Sequence, residues 1–569
     1  MCSSIQQENV NFNEFVINAH MALREADLPN FQSLQIPVKS KWNIPFLDSL
    51  LVDYHDKQIT QFLKFGFPIN YQGPVTESVI VKNHRGATDY PVQIRQYLTK
   101  EVSEKTLLGP FQHVVLENSI LSPLNSTEKK DSVDRRVIHD LSFPISGGVS
   151  VNQGINMQDY FGTKMLLQYP TIDTLVDMVV QLGPGCHLYK KDIRKCYKQI
   201  PVDYRDINLL GFKFDNHVYY DCTLPMGLAS SAFICQRTTN MIRYIATQMG
   251  LMLCNYLDDL GGAAPPSVSM NHYMALGRLL SNSGVEENAQ KNCPPDTSMV
   301  FLGLLLDTIA MTLSVPADKM RDIQELIQKW ETKTHMTRTN LESLLGKLNF
   351  IAKCVRSGRV FINRMLQALR GLPRTGQVRI PDQLKMDLNW WKRYAPHFNG
   401  VSKIPENTWL EPDAVVSCDA TLKACGGWHS SGEYFRETFP SEIMNMNLHI
   451  SALEMLTLVV TVGQWAKSLQ NRRIQVYSDN LATVICVNTG KTRDEFMSAC
   501  LRELVFILAT HNAEVKVRHI GTKQNQIPDL LSRWDDSSVT REKWSQLTEG
   551  YNVVRKRIKK SKFTKFYNW

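Results

Sequence analysis

Asn255-Tyr256-Leu257-Asp258-Asp259-Leu260 sets two carboxylates side by side in an otherwise apolar neighbourhood. Met252-Leu253-Cys254 leads in and Gly261-Gly262-Ala263 follows, so the spacing predicts strand, tight turn and strand with both aspartates at the tip. A single Asp is common in a turn, because its side chain bonds the local backbone. Two adjacent ones repel each other, an arrangement tolerated mainly where a divalent cation is held. On these residues alone, a solvated turn and a metal site stand as equal alternatives.

Three other stretches bear on that choice. Leu188-Tyr189-Lys190-Lys191-Asp192 ends a strand in Asp, with Tyr197 five positions later. Leu224-Pro225-Met226-Gly227-Leu228-Ala229-Ser230-Ser231 sets a Pro/Gly turn before a helix start lined with small residues, which lets a ligand approach the backbone. Ser126 to Arg136 reads as a polar hairpin tip returning into the strand Val137-Ile138-His139. With Tyr-Leu-Asp-Asp, these resemble the palm and fingers motifs of reverse transcriptases. The resemblance implies that Asp192, Asp258 and Asp259 hold two Mg²⁺ ions, with Mn²⁺ as a substitute. It implies further that Lys129 and Arg136 fold onto the triphosphate of the incoming nucleotide and that Tyr197 lies under its sugar and excludes a 2′-hydroxyl. Met226 and Gly227 would line the nucleotide site and Lys291 would stand near the leaving phosphate. Met226 departs from the Gln or Phe of many relatives. Arg194, Lys195 and Lys198 also depart, and put three cations near the metal carboxylates. Phe301-Leu302-Gly303-Leu304 resembles the hairpin that grips the primer end.

A second carboxylate series follows. Asp419 ends the apolar strand Ala414-Val415-Val416-Ser417-Cys418, before an expected turn at Gly426-Gly427-Trp428 and a strand over 433–439. Glu454 sits in a predicted helix over 451–460, Asp479 ends a predicted strand over 474–478, and Asp529 opens Asp529-Leu530-Leu531-Ser532-Arg533. Each alone reads as a surface charge. Their order resembles the two-magnesium site of ribonuclease H, and His519 resembles the mobile histidine that assists product release there.

These residues need several domains to position them. At 569 residues the chain exceeds one hydrophobic core, and 43% hydrophobic with 21% charged residues is the balance of a globular protein. No apolar run approaches the roughly 20 residues of a membrane span, and the first residues lack the pattern of a signal peptide. Twelve cysteines without a Cys-x-x-Cys pair predict reduced thiols, an intracellular setting and no zinc. Seven cations and no anion occupy 551–569, so nine less these seven leaves +2 on the first 550 residues. That tail reads as a polyanion-binding arm, a nuclear-import signal or a disordered solubilising end, leaving nucleus and cytoplasm both open. Thr339-Asn340-Leu341-Glu342 predicts a capping box opening a helix with its apolar stripe at Leu341, Leu344, Leu345, Leu348, Ile351, Ala352 and Val355. Its Lys347, Lys353, Arg356 and Arg359 would follow a duplex backbone.

The expected architecture is multidomain α+β and α/β: a right-hand polymerase with fingers, palm and thumb, followed by a ribonuclease H-like domain. Its parts are an N-terminal lead-in (1–90), weakly patterned over 1–40 and helix-and-turn from Trp42 to Tyr71, fingers and palm (91–310), thumb and connection (311–410), the ribonuclease H-like domain (411–537) and a basic tail (538–569). The chain resembles a retroelement reverse transcriptase. Arg136-Val-Ile-His-Asp140-Leu-Ser-Phe-Pro144 with Ser150-Val-Asn152-Gln-Gly154 is most like DIRS-type retrotransposons. The implied partners are an RNA template, a DNA primer, the RNA–DNA hybrid and deoxynucleoside triphosphates, and no membrane; a recombinase or other retroelement protein would be on another chain or absent. Two other classes stay open: an inactive domesticated nucleic-acid-binding scaffold, and a polymerase subunit active only with a partner chain.

Overall fold

In the computed structural model, which describes residues 2–26, 34–74, 81–129, 133–144, 149–352, 354, 361–373, 376–394, 401–404, 412–470, 472–511 and 513–568, the chain divides into two units. One comprises Met1–Leu302 and Asp307–Ile309, the other Gly303–Leu306 and Ala310–Trp569.

The first unit is built on a four-stranded antiparallel sheet in the order Cys293–Asp296, His187–Asp192, Asp259–Ala264, Met252–Tyr256. The helix Ser231–Gln248 buries Phe233, Ile234, Met241, Ile242 and Ile245 in the core beneath it. A three-stranded sheet (Leu107–Phe111, His217–Asp221, Gly211–Phe214) and the hairpin Leu124–Glu128 with Arg135–His139 lie in the same unit. Residues 1–40 hold more than the expected lead-in: Cys2–Glu25 is a helix burying Phe12, Val16, Ala19 and Leu23. The stripe is narrow and diluted by polar residues, and it gains its core only by packing against Tyr204, Tyr220 and Leu108.

In the second unit the helices Ala317–Glu331, Arg338–Ile351, Asn363–Gly371 and Asp382–Tyr394 precede a six-stranded mixed sheet. The expected capping box is displaced by one half-turn. Thr337, the last extended residue, accepts from the Asn340 amide at 3.2 Å, so Thr339 is already helical and Glu342 pairs with Arg338 at 2.9 Å. Lys353, Val355, Arg356 and Arg359 lie outside the described residues. The sheet order is Glu514–His519, Arg473–Ser478, Ala414–Ala420, Ala424–His429, Glu433–Thr438, Val554–Arg555. The expected turn at 426–428 is strand: Gly426 and Gly427 pair with both neighbours, and a Cβ there would collide with Leu531 and Phe435. These glycines serve close packing and not chain reversal.

The basic tail is corrected most. Residues 538–547 form a helix, and Val554–Arg555 adds a parallel edge strand to Glu433–Thr438. Ile558, Phe563 and Phe566 are buried. Four of the seven cations are engaged. Lys556 meets Glu433 at 2.9 Å, Arg555 donates to the Arg436 carbonyl, Lys562 to the Gly463 carbonyl, and Lys565 stands 4.0 Å from Glu503. Charge alone predicted an unfolded arm, yet three aromatic or aliphatic anchors outweigh surface cations whose heads stay wet. Phe563→Ala removes a ring packed on Phe439 and is expected to destabilise this unit by about 3 kcal/mol. The exposed Lys559→Ala should change stability by less than about 0.5 kcal/mol, both read from thermal unfolding.

Candidate functional site

Asp258 sits in a two-residue turn between paired Tyr256 and Asp259. Leu257 takes φ +52°, a left-handed conformation that costs about 1–2 kcal/mol for a residue with a side chain. The helix Ser231–Gln248 holds it there. Gln236 Oε1 accepts from the Leu257 amide at 2.9 Å, while its Nε2 donates to the Asn255 carbonyl at 3.1 Å. Across the ladder Asp259 is in register with Asp192, and the Ile193 amide donates to the Asp258 carbonyl at 2.9 Å. The backbone thus brings three carboxylates to one end of one sheet. Lys190 Nζ lies 3.2 Å from Asp259, and Lys291 Nζ 3.3 Å from Asp192. Burial raises the pKa of Asp192 against the opposing Lys291, and burial followed by the Asp259 charge raises that of Asp258. Asp192 Oδ1 is buried without a hydrogen-bond donor among the described residues. An all-oxygen set with such an orphaned acceptor fits a hard divalent cation.

Around this end the other expected residues are distributed unevenly. Gly227, at φ +113°, has its backbone against the His139 carbonyl, where any Cβ would collide. Met226 is exposed and its carbonyl accepts from the His139 amide at 3.2 Å. Asn152 clamps the same turn, donating to the Gly227 carbonyl and accepting from the Ala229 amide, each at 2.8 Å. Tyr197 is half-buried in the short 3-10 helix Cys196–Gln199. Lys129 and Arg136 are exposed on the hairpin, Arg136 opposite Thr127; residues 130–132 of its tip are outside the described set. The neighbouring Arg135 is committed elsewhere, stacked 3.5 Å over the Tyr90 ring. The expectation of three cations beside the metal carboxylates is overturned. Arg194 pairs with Glu104 and Glu286, Lys195 with Glu101 and Glu104, and Lys198 with Asp221. Sequence reading missed Gln236, Asn292, whose Oδ1 accepts from the Asp192 amide, and Lys190 as neighbours of this site. A polar Gln on the buried face of an apolar helix was the available signal.

In the second unit Asp419, Glu454 and Asp479 bring one ligand atom each within 4.8 Å of one another. Asp419 lies at the end of the central strand, Glu454 inside the helix Ile450–Trp465, and Asp479 directly after the strand Arg473–Ser478. Glu454 Oε1 accepts from the Ala420 amide at 3.1 Å, while Oε2 is buried without a donor among the described residues. Asp479 accepts from the Thr522 hydroxyl at 2.9 Å, and its carbonyl lies 3.0 Å from His519 Nε2. Asp529 is not in the three-carboxylate group: Arg533, one turn along its helix, holds it at 2.7 Å. Ser532 of that helix donates to Asp419. Burial, with Asp419 and Asp479 adding repulsion, pushes Glu454 up to about 9. Burial pushes Asp419 up to about 6 against the Ser532 hydrogen bond. Three carboxylate-bearing side chains gathered this closely could hold a cation.

Residues 144–306 match the family described as Reverse transcriptase (RNA-dependent DNA polymerase). The chain carries a reverse transcriptase domain. Protein P of Duck hepatitis B virus (strain China) is 23% identical over 181 residues, 31% of this chain and 23% of that protein. The chain therefore spans less than a quarter of the length of the curated relatives it matches. Among solved structures, a foamy viral protease-reverse transcriptase in complex with dsDNA is 13% identical, covering 86% of this chain and 99% of that one at a TM-score of 0.47. The same kind of protein in complex with an RNA/DNA hybrid is 15% identical, covering 89% and 66% at 0.44. No helix among the described residues is long and apolar enough to cross a membrane.

The raised carboxyls make stability depend on pH. A Glu that ordinarily titrates at 4.5 but holds its proton to about 9 when folded stabilises the fold fully below 4.5 and loses that contribution as pH rises through about 9. Asp419 acts in the same sense between 3.8 and about 6. Without divalent ions, the thermal midpoint of the second unit is expected to fall as pH is raised across this range. Glu454→Gln should flatten the profile, and adding a divalent cation should recover the stability of the unsubstituted protein at neutral pH.

Proposed function

We propose that the chain is an RNA-directed DNA polymerase that also cleaves the RNA strand of the RNA–DNA hybrid. The observation carrying the polymerase reading is the convergence of Asp192, Asp258 and Asp259 on one sheet end, within the segment that matches the reverse transcriptase family. In this reading 91–310 are fingers and palm, 311–410 thumb and connection, and 411–569 one ribonuclease H-like domain that includes the former tail. The Asp140-Leu-Ser and Ser150-Val-Asn152 pattern supports a DIRS-type retroelement origin.

Asp192, Asp258 and Asp259 would hold Mg²⁺ in the first site, and Asp419, Glu454, Asp479 and Asp529 in the second, with Asp529 released from Arg533. Ions bound there supply Lewis acidity, which activates a primer 3′-hydroxyl or a water and neutralises the departing oxygen. The chain's own residues do the rest. Lys129 and Arg136 hold the triphosphate, Arg through its planar fork. Tyr197 presents its ring to the sugar and excludes a 2′-hydroxyl. Gly227 opens space for the nucleotide against the backbone. Lys291 shields charge beside Asp192 and the leaving phosphate. In the second site His519 assists release of the cleaved strand, and double-stranded DNA or hybrid is the expected polymer partner.

Primer extension on an RNA template tests the polymerase. Asp258→Asn should reduce DNA synthesis by about a thousandfold, the several kcal/mol of charge stabilisation a metal supplies, while hybrid cleavage continues. Asp479→Asn should do the reverse. Both activities falling together in a folded variant would contradict two separate sites. Tyr197→Ala should raise ribonucleotide incorporation; an unchanged preference returns Tyr197 to a packing role.

A further inference from the structure

Behind the proposed nucleotide site lies a buried polar chain that the mechanism above does not use. Asp221 closes the strand His217–Asp221 and is buried. One of its oxygens accepts from Lys198 Nζ; the other lies 3.0 Å from His139 Nδ1. His139 Nε2 is 3.1 Å from the Gly211 carbonyl, so each ring nitrogen faces an acceptor. The ring is also packed edge-on to Phe212 at 5.2 Å. At the other end Lys198 lies beside Tyr97, whose hydroxyl burial holds well above the usual phenol range.

The two ends of this chain are placed where the proposed nucleotide would bind. Lys198 follows Tyr197 directly in the turn Cys196–Gln199, a stretch entered through Lys195 at φ +46°. Gln199, which donates to the Arg194 and Glu286 carbonyls and accepts from Trp42 on its own carbonyl, holds the end of this turn, and Lys198 is the one of its side chains that reaches Asp221. His139 holds the other wall. Its amide bonds the Met226 carbonyl, its carbonyl closes on Gly227, and its strand carries Arg136 three residues earlier. Burying a carboxylate with a lysine and a histidine costs desolvation that an apolar trio of the same size would avoid, so stability alone does not account for the arrangement. Directional bonds fix distance and angle in a way that apolar packing does not.

We propose that Lys198, Asp221 and His139 are positioning residues that tie the Tyr197 wall of the nucleotide site to its Met226–Gly227 wall, and so set both deoxynucleotide affinity and discrimination against ribonucleotides. The proposal rests on the reading of the first carboxylate site as a polymerase. None of the three touches the reacting atoms.

The test is steady-state primer extension with the full chain, measuring kcat and KM for a deoxynucleoside triphosphate and for its ribonucleotide counterpart. Lys198→Met keeps the stem and removes the charge. It is expected to raise the deoxynucleotide KM about tenfold, since small displacements in a positioned site cost up to about a hundredfold, and to narrow the discrimination ratio, while template–primer affinity and hybrid cleavage stay at wild-type values. Lys198→Arg should recover most of both. His139→Gln, which can reach Gly211 but not Asp221, should reproduce the Lys198→Met pattern. His139→Asn, which keeps a donor near Asp221, should be milder. If Lys198→Met fails to fold by circular dichroism, the His139 pair decides. Folded variants with unchanged KM and unchanged discrimination overturn the proposal, as does a loss confined to kcat and thermal midpoint, which marks a purely structural network. A wild-type chain that extends no primer instead removes the polymerase reading, an outcome distinct from active wild type with indifferent variants.

Discussion

One backbone hydrogen bond, from the Ile193 amide to the Asp258 carbonyl, combines with the Asp192–Asp259 register to bring the first site together. Three carboxylates repel one another and lose solvation when gathered, so side-chain forces alone would scatter them. Sheet register prevents this, because a slip of one residue would turn either aspartate to the opposite face. The left-handed Leu257 and its Gln236 bond belong to the same constraint: the turn must be tight enough to keep Asp258 beside its neighbour. Strain and repulsion stored there are offset by the helix beneath, whose apolar face carries the core.

The second site solves the same problem with different elements. A central strand, a helix and the end of a parallel strand each contribute one carboxylate, so no local turn is strained. Closeness there depends on glycines. Gly426 and Gly427 let the segment carrying Leu531 and the Phe435 ring approach the sheet, and the helix bearing Asp529 and Ser532 packs where side chains would otherwise stand. The C-terminal strand closes the far edge of the same sheet, which would otherwise expose unpaired amides. The basic tail is therefore a structural element of that unit, its cations placed on the surface of a strap anchored by Ile558, Phe563 and Phe566.

Asp192, Asp258 and Asp259, the group of Asp419, Glu454 and Asp479, the hairpin with Lys129 and Arg136, and the Gly227 turn were legible in the chain because each is a local pattern: residue types at fixed spacing on one strand, turn or helix end. Hydrophobic periodicity likewise located the helix that begins near 338, and apolar runs the strands that carry Asp419 and lead into Asp479. The Cys2–Glu25 helix and the folded tail were not legible. Their apolar residues are few, and they become core only against surfaces contributed by residues far away in the sequence.

What the sequence determined by itself was therefore which residues could do chemistry, since acidity, charge and backbone freedom belong to residue types and short spacing. Which of them meet was left to tertiary structure. Arg194, Lys195 and Lys198 stood beside Asp192 in sequence, yet each turned to Glu101, Glu104, Glu286 or Asp221. Asp529 matched its motif but lies against Arg533, outside the close group of Asp419, Glu454 and Asp479. The physical reason is that a charged side chain pairs with whatever opposite charge folding brings within about 4 Å, and contacts between distant segments are encoded by no local pattern.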